Sequence, residues 1–496
     1  MKNSGWSRLR HGGIIGKFMM LCGLLCAVPM VTACFYPTLP KELEAFALPA
    51  GISLLAGLFS CWKGAAQDQE EPRPQLIQKG GFFVLFAWLY GIFIGALPFV
   101  LAGRLNWIQS LFESVSGWTT TGLSVLDVTQ VSPIFLFHRG FMQYCGGLGF
   151  VMVMTLFIQN KQSMNLFQAE GHSDQLTPNL GRTVRLIVLM YTTFLALGVA
   201  AYVLAGMNFF DSLIHAMCAL STGGFSTRAE SIGYYQSPLI EFITIVLMVI
   251  GTTNFAALLL LVRRQARKFM AVSEVRFMGL VLAMAIPLTA LVLFFAAYAD
   301  LPGSFRIAFF EVVSALSTSG FSTVGYTQWP QAAVFVLIVM MLIGGGIGST
   351  AGGLKLTRVY LMLRGLGESL RRRNAPAGAV SCMFFKRPQG RVAIDQKLLA
   401  DTDLSDWNVL VNADGELFVD RSDVRFCFRI GNCRVVDRHH RTGDACFGLD
   451  RGNGGNAFRA VGDLHSALRD PRGVPSLKKR GFPIAVLLCE SERRRP

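Results

Sequence analysis

Long stretches without a charged side chain are the feature that most constrains this chain. A helix needs about 20 mostly apolar residues to cross a hydrocarbon core of about 30 Å, and the first 375 residues contain eight charge-free stretches of roughly that length. We therefore predict an all-α polytopic membrane protein over this region. The predicted spans are 18–35, 45–62, 80–103, 140–160, 186–210, 242–262, 277–299 and 332–354.

The charged residues are distributed very unevenly. Residues 1–375 contain 42 of the 77 Asp, Glu, Lys and Arg residues, whereas the last 121 residues contain 35. A single large soluble enzyme is therefore excluded, because soluble domains carry about 25% charged residues throughout. The net charge of +15 does not indicate nucleic-acid binding, which requires a clustered basic face. The cysteines inside the apolar stretches behave as small apolar residues rather than as a disulfide framework.

The basic residues predict the orientation. Of the 26 Lys and Arg residues in residues 1–375, 21 fall on the side of the N-terminus when the spans alternate. Because Lys and Arg stay on the cytoplasmic side, we predict a cytoplasmic N-terminus. The basic N-terminus, the apolar stretch and Cys34 also fit a signal peptide with a lipid-modified cysteine. We favour a first span, because a second apolar stretch follows instead of a soluble domain.

A threefold internal repeat lies between the spans. Residues 113–124, 215–226 and 311–322 align without gaps and share the core [Ser/Thr]-Thr-x-Gly-[Leu/Phe]-Ser. Each core follows a short amphipathic, helix-like stretch and sits between two long apolar stretches. The pattern predicts a unit of span, short helix, Thr/Gly loop and span that recurs along the chain.

The loop chemistry indicates a filter for a monovalent cation. Irregular backbone at membrane depth must be buried in protein or line water, and rings of carbonyl and hydroxyl oxygens can replace the hydration shell of a cation. No acidic side chain lies inside the loops, which argues against a divalent ion. Close helix packing by small residues is the alternative, but three loops in register favour re-entrant pore loops. The candidate ion-binding residues are Thr119, Thr120, Thr121, Gly122, Ser221, Thr222, Gly223, Gly224, Ser317, Thr318, Ser319 and Gly320.

A second repeat lies in the span after each loop, at residues 145–150, 250–255 and 343–348. The third copy extends into the glycine-rich segment 344–353, where each glycine costs a helix about 1 kcal/mol relative to Ala. We therefore predict a broken span and a flexible gate beneath the filter, with close packing of a glycine face as the alternative. Lys355 either faces the pore or extends to the membrane interface. The candidate gate residues are Gly344, Gly345, Gly346, Gly348, Ser349, Thr350, Gly352, Gly353 and Lys355.

These motifs, together with the stretch 167–178, resemble the Trk/Ktr/HKT superfamily of potassium transporters, and within it the bacterial Trk potassium-uptake subunits, over residues 14–402. The resemblance implies four span–pore-loop–span repeats around one pore, preceded by two extra N-terminal spans. It also implies that Gly122, Gly224 and Gly320 are filter glycines and that 344–353 is the gating loop. The intact glycine at position 122 favours potassium.

The resemblance further implies potassium uptake across the bacterial inner membrane by a homodimer in membrane lipid. A cytosolic nucleotide-binding regulatory subunit is the implied partner, with no cofactor besides the transported ion and no nucleic acid. The chain lacks the HExxH, nucleophile-elbow and Walker motifs that would indicate an enzyme. The alternative function is a non-conducting assembly or regulatory subunit.

Residues 403–496 depart from the resemblance, since they contain no apolar stretch near 18 residues and no fourth pore loop. We predict an irregular soluble tail there. It is a cytoplasmic extension, a zinc module formed by Cys427, Cys433, His439 and Cys446, or the product of a reading-frame change near residue 403. The predicted divisions are an N-terminal two-span unit (1–75), pore repeats at 76–165, 180–268 and 275–375, a cytoplasmic linker (376–402) and the tail (403–496).

Overall fold

The computed structural model describes residues 14–64, 73–149, 180–327 and 329–373, together with five strands between residues 383 and 429. The chain divides into two compact units, Met1–Met362 and Leu363–Pro496. In its described residues the first unit is built from helices, which confirms the predicted all-α membrane protein for this part of the chain.

Two closely packed helices open the first unit. Helix α1 (Ile14–Ala27) continues as a 3-10 helix to Cys34 and packs against α2 (Pro40–Gly64). A Cβ atom on Gly16 would lie 2.7 Å from the backbone nitrogen of Cys61. The two helices therefore approach through small residues, as membrane helices commonly do.

Three similar repeats follow these two helices, and each contains a helix of 12–16 residues between two others. The first repeat consists of α3 (Arg73–Leu101), α4 (Trp107–Trp118) and α5 (Pro133–Leu148). The second consists of α6 (Leu180–Leu204), α7 (Phe209–Leu220), α8 (Pro238–Thr252), α9 (Phe255–Val262) and the short α10 (Ala266–Phe269). The third consists of α11 (Ser273–Leu293, continued by a π-helical turn to Tyr298), α12 (Leu301–Leu316) and α13 (Gln331–Ile343), and α14 (Leu356–Arg373) comes after it.

The short helices α4, α7 and α12, called pore helices below, begin with the same type of cap. The side chains of Asn106, Asn208 and Asp300 each accept a hydrogen bond from the backbone N–H three residues later, at 2.8–2.9 Å. Such caps satisfy an N–H group that has no partner inside the helix. A local sequence signal thus fixes where each pore helix starts.

Five helices are long and apolar enough to cross a membrane, and α8 with α9 makes a sixth if the bent pair counts as one span, in the part of the chain that the structure describes. Three of the eight predicted spans are not continuous helices. The span 140–160 stops at Leu148, and residues 150–179 lie outside the described residues. The span 242–262 bends by 117° between α8 and α9. The span 332–354 stops at Ile343.

The second unit contains β-structure in its described residues. Strands β1 (Met383–Arg387) and β2 (Gly390–Ile394) form an antiparallel hairpin. Strands β3 (Val409–Val411), β4 (Glu416–Arg421) and β5 (Val424–Arg429) form an antiparallel sheet in that order. Strands β1 and β2 lie in the predicted linker, whereas β3, β4 and β5 lie in the predicted tail, so the prediction of irregular structure is wrong for these three strands.

The physical reason for the strands is visible in β5. Its sequence Val-Arg-Phe-Cys-Phe-Arg places its large apolar side chains at every second position, which is the period of a strand with one apolar face. Of the four candidate zinc ligands, Cys427 lies on β5. The other three lie outside the described residues.

Candidate functional site

The three Thr/Gly loops have the same backbone conformation. Two residues after the end of each pore helix lies a threonine with a left-handed backbone, at φ values of +55°, +54° and +55° for Thr120, Thr222 and Thr318. The next N–H bonds back to the carbonyl five residues earlier, as Thr121 does to Ser116 at 2.9 Å. This is a Schellman cap with threonine where glycine is usual. A β-branched residue in this region costs about 1–2 kcal/mol, and that cost recurs at three equivalent positions of a candidate site.

The loop glycines bring neighbouring repeats into contact. Gly122, Gly224 and Gly320 have φ values of +83°, +80° and +78°. A Cβ atom on Gly122 would lie 2.1 Å from the carbonyl oxygen of Gly223 in the second loop. A Cβ atom on Gly224 would lie 1.9 Å from the carbonyl oxygen of Ser319 in the third. The loops therefore lie edge to edge in chain order, with backbone oxygens between them.

The predicted filter residues differ in how well they are enclosed. In the second loop Ser221, Thr222 and Gly223 are buried. In the first loop Thr119 and Thr121 are exposed, and their hydroxyl groups bond to each other at 2.8 Å. Ser317 and Ser319 of the third loop are buried, whereas Gly320 is exposed. The middle loop is thus enclosed by its neighbours, and the outer two each have an open edge among the described residues.

One buried polar side chain at the same position of each pore helix supports the loop that follows. Glu113 accepts hydrogen bonds from Ser124 Oγ (2.9 Å) and the Val125 N–H (3.1 Å). Glu311 accepts the equivalent bond from the Thr323 N–H (2.8 Å). His215 lies 2.9 Å from Ser226 Oγ. Sequence reasoning missed these loop supports, although all three are polar residues in register at the start of the aligned repeat.

Two residues of α5 connect the first repeat to the second. Arg139 is paired with Glu113 at 2.6 Å, with both side chains almost fully buried, and its guanidinium carbon lies 4.1 Å from the centre of the Phe225 ring. Gln143 donates to the Gly223 carbonyl at 2.7 Å and accepts from the Phe225 N–H at 3.1 Å. These contacts fix the second loop from the side of the first repeat.

A polar cluster surrounds Asp211 in the first turn of α7. Its carboxylate accepts hydrogen bonds from Thr227 Oγ1 (2.7 Å), Arg228 Nη2 (2.9 Å) and the Tyr235 hydroxyl (2.9 Å). Burial raises the pKa of the Asp211 carboxyl, but the three hydrogen bonds outweigh burial and hold the pKa below its usual value. The Asp211 carboxyl therefore stays ionised beside the start of a pore helix, with its charge balanced by Arg228.

The helix after each filter loop ends within the aligned glycine motif of its repeat, beside the loops. Helix α5 ends before Gly149 (φ +87°), α8 ends at Thr252, and α13 ends before Gly344 (φ +69°). Close packing accounts for two glycines here, because a Cβ atom on Gly146 or Gly251 would lie 2.0 or 2.5 Å from the last carbonyls of a pore helix. The motif therefore shows both the helix ends that a broken span requires and the close packing of glycines that is the alternative interpretation.

The glycine-rich loop 344–353 lies directly against the second and third filter loops. Gly352 N–H donates to Thr318 Oγ1 at 2.7 Å. Thr350 Oγ1 lies 2.9 Å from the Gly251 carbonyl and 3.3 Å from Thr222 Oγ1. The left-handed threonines thus place their hydroxyl groups where the glycine-rich loop binds them.

Four further hydrogen bonds lie in and around the glycine-rich loop. The Gly346 N–H donates to the Thr252 carbonyl at 2.9 Å, across the break between α8 and α9. Glu274 of α11 accepts from the Ile347 N–H at 2.8 Å and from Thr357 Oγ1 at 2.6 Å. Lys355 Nζ donates to the Ala351 carbonyl. Glu274 is a further site residue that sequence reasoning missed.

Three units of long helix, pore helix, loop and second helix, with the loops edge to edge, define a pore-loop membrane protein. The family model described as TrkH, cation transport protein, matches residues 66–402. The chain belongs to this cation transport family, which confirms the resemblance seen in the sequence.

Known proteins of the same family resemble most of the chain. The Trk system potassium uptake protein TrkH of Halomonas elongata is 32% identical over 371 residues, covering 72% of this chain and 75% of the relative. TrkG of Escherichia coli K12 is 31% identical over 377 residues, covering 74% and 76%. The crystal structure of the potassium transporter TrkH from Vibrio parahaemolyticus matches with a TM-score of 0.66 at 26% identity, covering 79% of this chain and 81% of that chain.

Proposed function

We propose that this chain takes up potassium, with its three Thr/Gly loops forming three sides of the filter. The observation that carries the proposal is the shared geometry of the loops, in which equivalent threonines and glycines repeat the same φ values within a few degrees. Converging carbonyl and hydroxyl oxygens suit a dehydrated monovalent cation. The relatives in Halomonas elongata and Escherichia coli are named as potassium uptake proteins.

The transport step needs no covalent reaction and no cofactor. Potassium would enter from outside, exchange water for the oxygens of the loops and pass the glycine-rich loop on its way in. The membrane potential supplies about 2.3 kcal/mol per charge for each 100 mV. The excess of Lys and Arg on one side supports a cytoplasmic N-terminus in the bacterial inner membrane.

The glycine-rich loop would act as the gate of this pathway. Its hydrogen bonds to Thr318, Thr222 and the broken end of α8 support a closed state in which the loop obstructs the path next to the filter. Release of these contacts would let the loop move aside. Lys355 would travel with the loop, because it binds the carbonyl of Ala351.

We propose three partners on the same basis. Membrane lipid would surround the apolar helices, and a second copy of the chain would complete a homodimer. A cytosolic nucleotide-binding regulatory subunit would bind the basic residues on the side of the N-terminus, as the family resemblance implies. We propose no nucleic-acid partner, since the orientation of the chain in the membrane accounts for the position of its basic residues.

A second candidate function is a non-conducting assembly or regulatory subunit. It is favoured by one observation, the exposed Gly320 at the open edge of the third loop. With one side of the ring missing, a cation at the filter would have fewer oxygen partners than its hydration shell provides.

The test is potassium uptake in the native host after its other potassium-uptake systems are deleted. We expect the chain to restore growth at low potassium, and Gly224→Asp to abolish it by placing a carboxylate between two loops. Gly325→Asp is the matched control, since a Cβ atom there meets no atom within 4 Å in the described structure. Uptake that survives Gly224→Asp would contradict the filter assignment. Failure of the unaltered chain would favour the non-conducting subunit.

A further inference from the structure

The segment that joins the second repeat to the third is strongly basic. Residues 263–276, called the basic corner below, contain five Lys and Arg residues and one acidic residue. The two earlier segments on the same predicted side are more balanced, with three basic and three acidic residues in 63–79 and three and two in 161–185. Orientation depends on Lys and Arg and little on Asp and Glu. It therefore does not explain why acidic residues are almost absent from the basic corner.

Most of these positive charges have no partner within the described part of the chain. Four basic side chains of the corner are exposed and form no ion pair with a described residue, namely Arg263, Arg264, Arg267 and Lys268. Arginines on the predicted opposite side of the membrane behave differently. Four of them pair with a carboxylate at 2.6–2.9 Å, namely Arg104, Arg139, Arg228 and Arg306. The basic corner thus presents a positive surface that suits an anionic ligand.

The backbone at Arg264 is a second indication that charge is used here. Helix α9 ends in a Schellman cap, in which the Gln265 N–H donates to the Leu260 carbonyl at 2.8 Å. Arg264 takes the left-handed position of this cap, at φ +59°. Glycine is usual at that position because it has no side chain to strain the backbone. An arginine there keeps a positive charge in spite of the strain, which is typical of functional positions.

Exposed apolar side chains lie beside the charges. Leu261 and Val262 directly precede Arg263, and Met270 follows Lys268 by two residues, with exposures of 44%, 52% and 58% for the three apolar residues. The corner also connects the bent pair α8–α9 to the span that begins at Ser273, so it lies where a membrane has its headgroups. A phospholipid offers a phosphate to the charges and acyl chains to the apolar residues. A soluble anion would satisfy only the charges.

The basic corner is held together by a small apolar core. Helices α9 and α10 and the first turn of α11 pack through Ala257, Leu260, Phe269, Val272 and Val275. Across this core, Arg276 Nε donates to the Met270 carbonyl at 2.8 Å. The surface is therefore formed before a ligand binds, which lowers the entropic cost of binding.

Both ends of this packed unit contact the glycine-rich loop, at adjacent residues. At the start of α9, the Phe255 N–H donates to the Gly348 carbonyl at 3.3 Å. At the start of α11, Glu274 accepts from the Ile347 N–H at 2.8 Å. A ligand that binds the corner in this arrangement stabilises the arrangement as a whole. Its binding would therefore also stabilise the two contacts to the loop.

We propose that the basic corner binds the phosphate groups of anionic phospholipids in the cytoplasmic leaflet, and that the bound lipid keeps the glycine-rich loop in its closed contacts. Each basic residue near an anionic membrane surface strengthens binding roughly fivefold, and guanidinium groups can form paired hydrogen bonds with a phosphate. The effect on the loop rests on the proposed function, in which this loop is the gate. The lipid site itself does not depend on that role.

The site is tested by photo-cross-linking of the full chain in vesicles that mix phosphatidylcholine with a minority of phosphatidylglycerol. A photoreactive amino acid replaces Met270 in the corner or, as the control, Leu288 of α11, which is 51% exposed. At position 270 we expect phosphatidylglycerol adducts to be enriched roughly fivefold or more over the vesicle composition. At position 288 the adducts should follow the vesicle composition. The same adduct composition at both positions would overturn the proposal.

Two variants with the photoreactive residue at position 270 test the role of charge. The variant R263Q/R264Q/R267Q/K268Q should lose the enrichment, whereas R263K/R264K/R267K/K268R keeps every charge and should retain it. Enrichment that survives the glutamine changes, or that is lost with the charges conserved, would contradict a site for anionic headgroups. Displacement of the lipid by millimolar inorganic phosphate would assign the corner to a soluble anion. Protein adducts in place of lipid adducts in native membranes would assign it to a protein partner.

Hydrogen exchange at the Ile347 N–H tests the link to the glycine-rich loop. Exchange should be roughly fivefold slower in the mixed vesicles than in phosphatidylcholine alone, because bound lipid stabilises the contact to Glu274. The glutamine variant should exchange at the same rate in both vesicles. An exchange rate that does not respond to phosphatidylglycerol in the unaltered chain would contradict the link.

Potassium flux into the same vesicles separates this inference from the proposed function. Flux through the unaltered chain should be lower with phosphatidylglycerol than without it, and the glutamine variant should not show this difference. Flux that is indifferent to phosphatidylglycerol would contradict the effect on the gate. No flux in any vesicle, with the lipid adducts and the lipid-dependent exchange retained, would contradict the proposed function and leave the lipid site intact.

Discussion

The second and third filter loops have the same backbone and different surroundings. Gly224 and Gly320 differ by 2° in φ. A Cβ atom on Gly224 would nevertheless collide with the carbonyl oxygen of Ser319, whereas a Cβ atom on Gly320 would meet no described atom within 4 Å. The comparison shows that a short local sequence determines the conformation of each loop. The order of the repeats around the axis determines how well each loop is enclosed.

The largest expected effect concerns how the first and second loops are supported. Arg139→Met should destabilise the protein by about 3–5 kcal/mol, because it leaves the buried carboxylate of Glu113 without its charged partner. Ser226→Ala removes a neutral hydrogen bond to His215 and should cost about 1 kcal/mol. Thermal unfolding of the purified protein in detergent measures both. Equal losses would contradict the distinction between a charged and a neutral support.

The next effect compares the two glycines directly. Gly224→Ala should cost about 1–3 kcal/mol from overpacking against the Ser319 carbonyl, in addition to about 1–2 kcal/mol for the left-handed backbone. Gly320→Ala in the chain alone should show only the backbone cost. Gly279→Ala on α11 is the control, because a Cβ atom there meets no described atom within 4 Å. Equal destabilisation at positions 224 and 320 would contradict the open edge of the third loop.

A smaller effect is expected at the glycine-rich loop that lies against both filter loops. Glu274→Gln keeps an acceptor for the Ile347 N–H but removes its charge, which should weaken the bond by about 1 kcal/mol. Hydrogen exchange at Ile347 should then become roughly fivefold faster. Glu44 of α2 offers a control, since Glu44→Gln is expected to leave this exchange unchanged. An unaltered exchange rate in the Glu274 variant would show that this carboxylate does not hold the loop.

The smallest effect is expected for the ion pair between α8 and α12. Arg306 keeps 46% of its side chain exposed, so Arg306→Met should change the free energy of unfolding by at most about 1 kcal/mol. The measurement is thermal unfolding of the Arg306→Met variant, compared with that of the Arg139→Met variant. A loss as large as that of Arg139→Met would show that this pair is a main link between the second and third repeats.

The recurrence of one loop conformation could be predicted because the repeated segment is local, whereas the left-handed threonine in each loop was not predicted. A Thr-x-Gly segment after a short helix produces the same cap and the same left-handed glycine at residues 120–122, 222–224 and 318–320. The supports Glu113, His215 and Glu311 were visible in the same alignment. Their role in hydrogen bonding to the loops could not be predicted, because it depends on how the chain folds back eleven or twelve residues later.

The ends of the second helices could not be predicted from apolarity alone. Hydropathy measures side chains, and residues 242–262 are apolar on both sides of the 117° bend. The backbone break at Thr252 is stabilised by a hydrogen bond from Gly346, almost one hundred residues later in the chain. The strand β5 was missed for a different reason, since a period of two over six residues is a weak signal.

The most direct test of the central claim is a cryo-EM map of the chain purified from its native membrane in potassium. We predict ion density enclosed by the oxygen atoms of residues 119–122, 221–224 and 317–320. Well-resolved loops with no ion density between them would contradict the account.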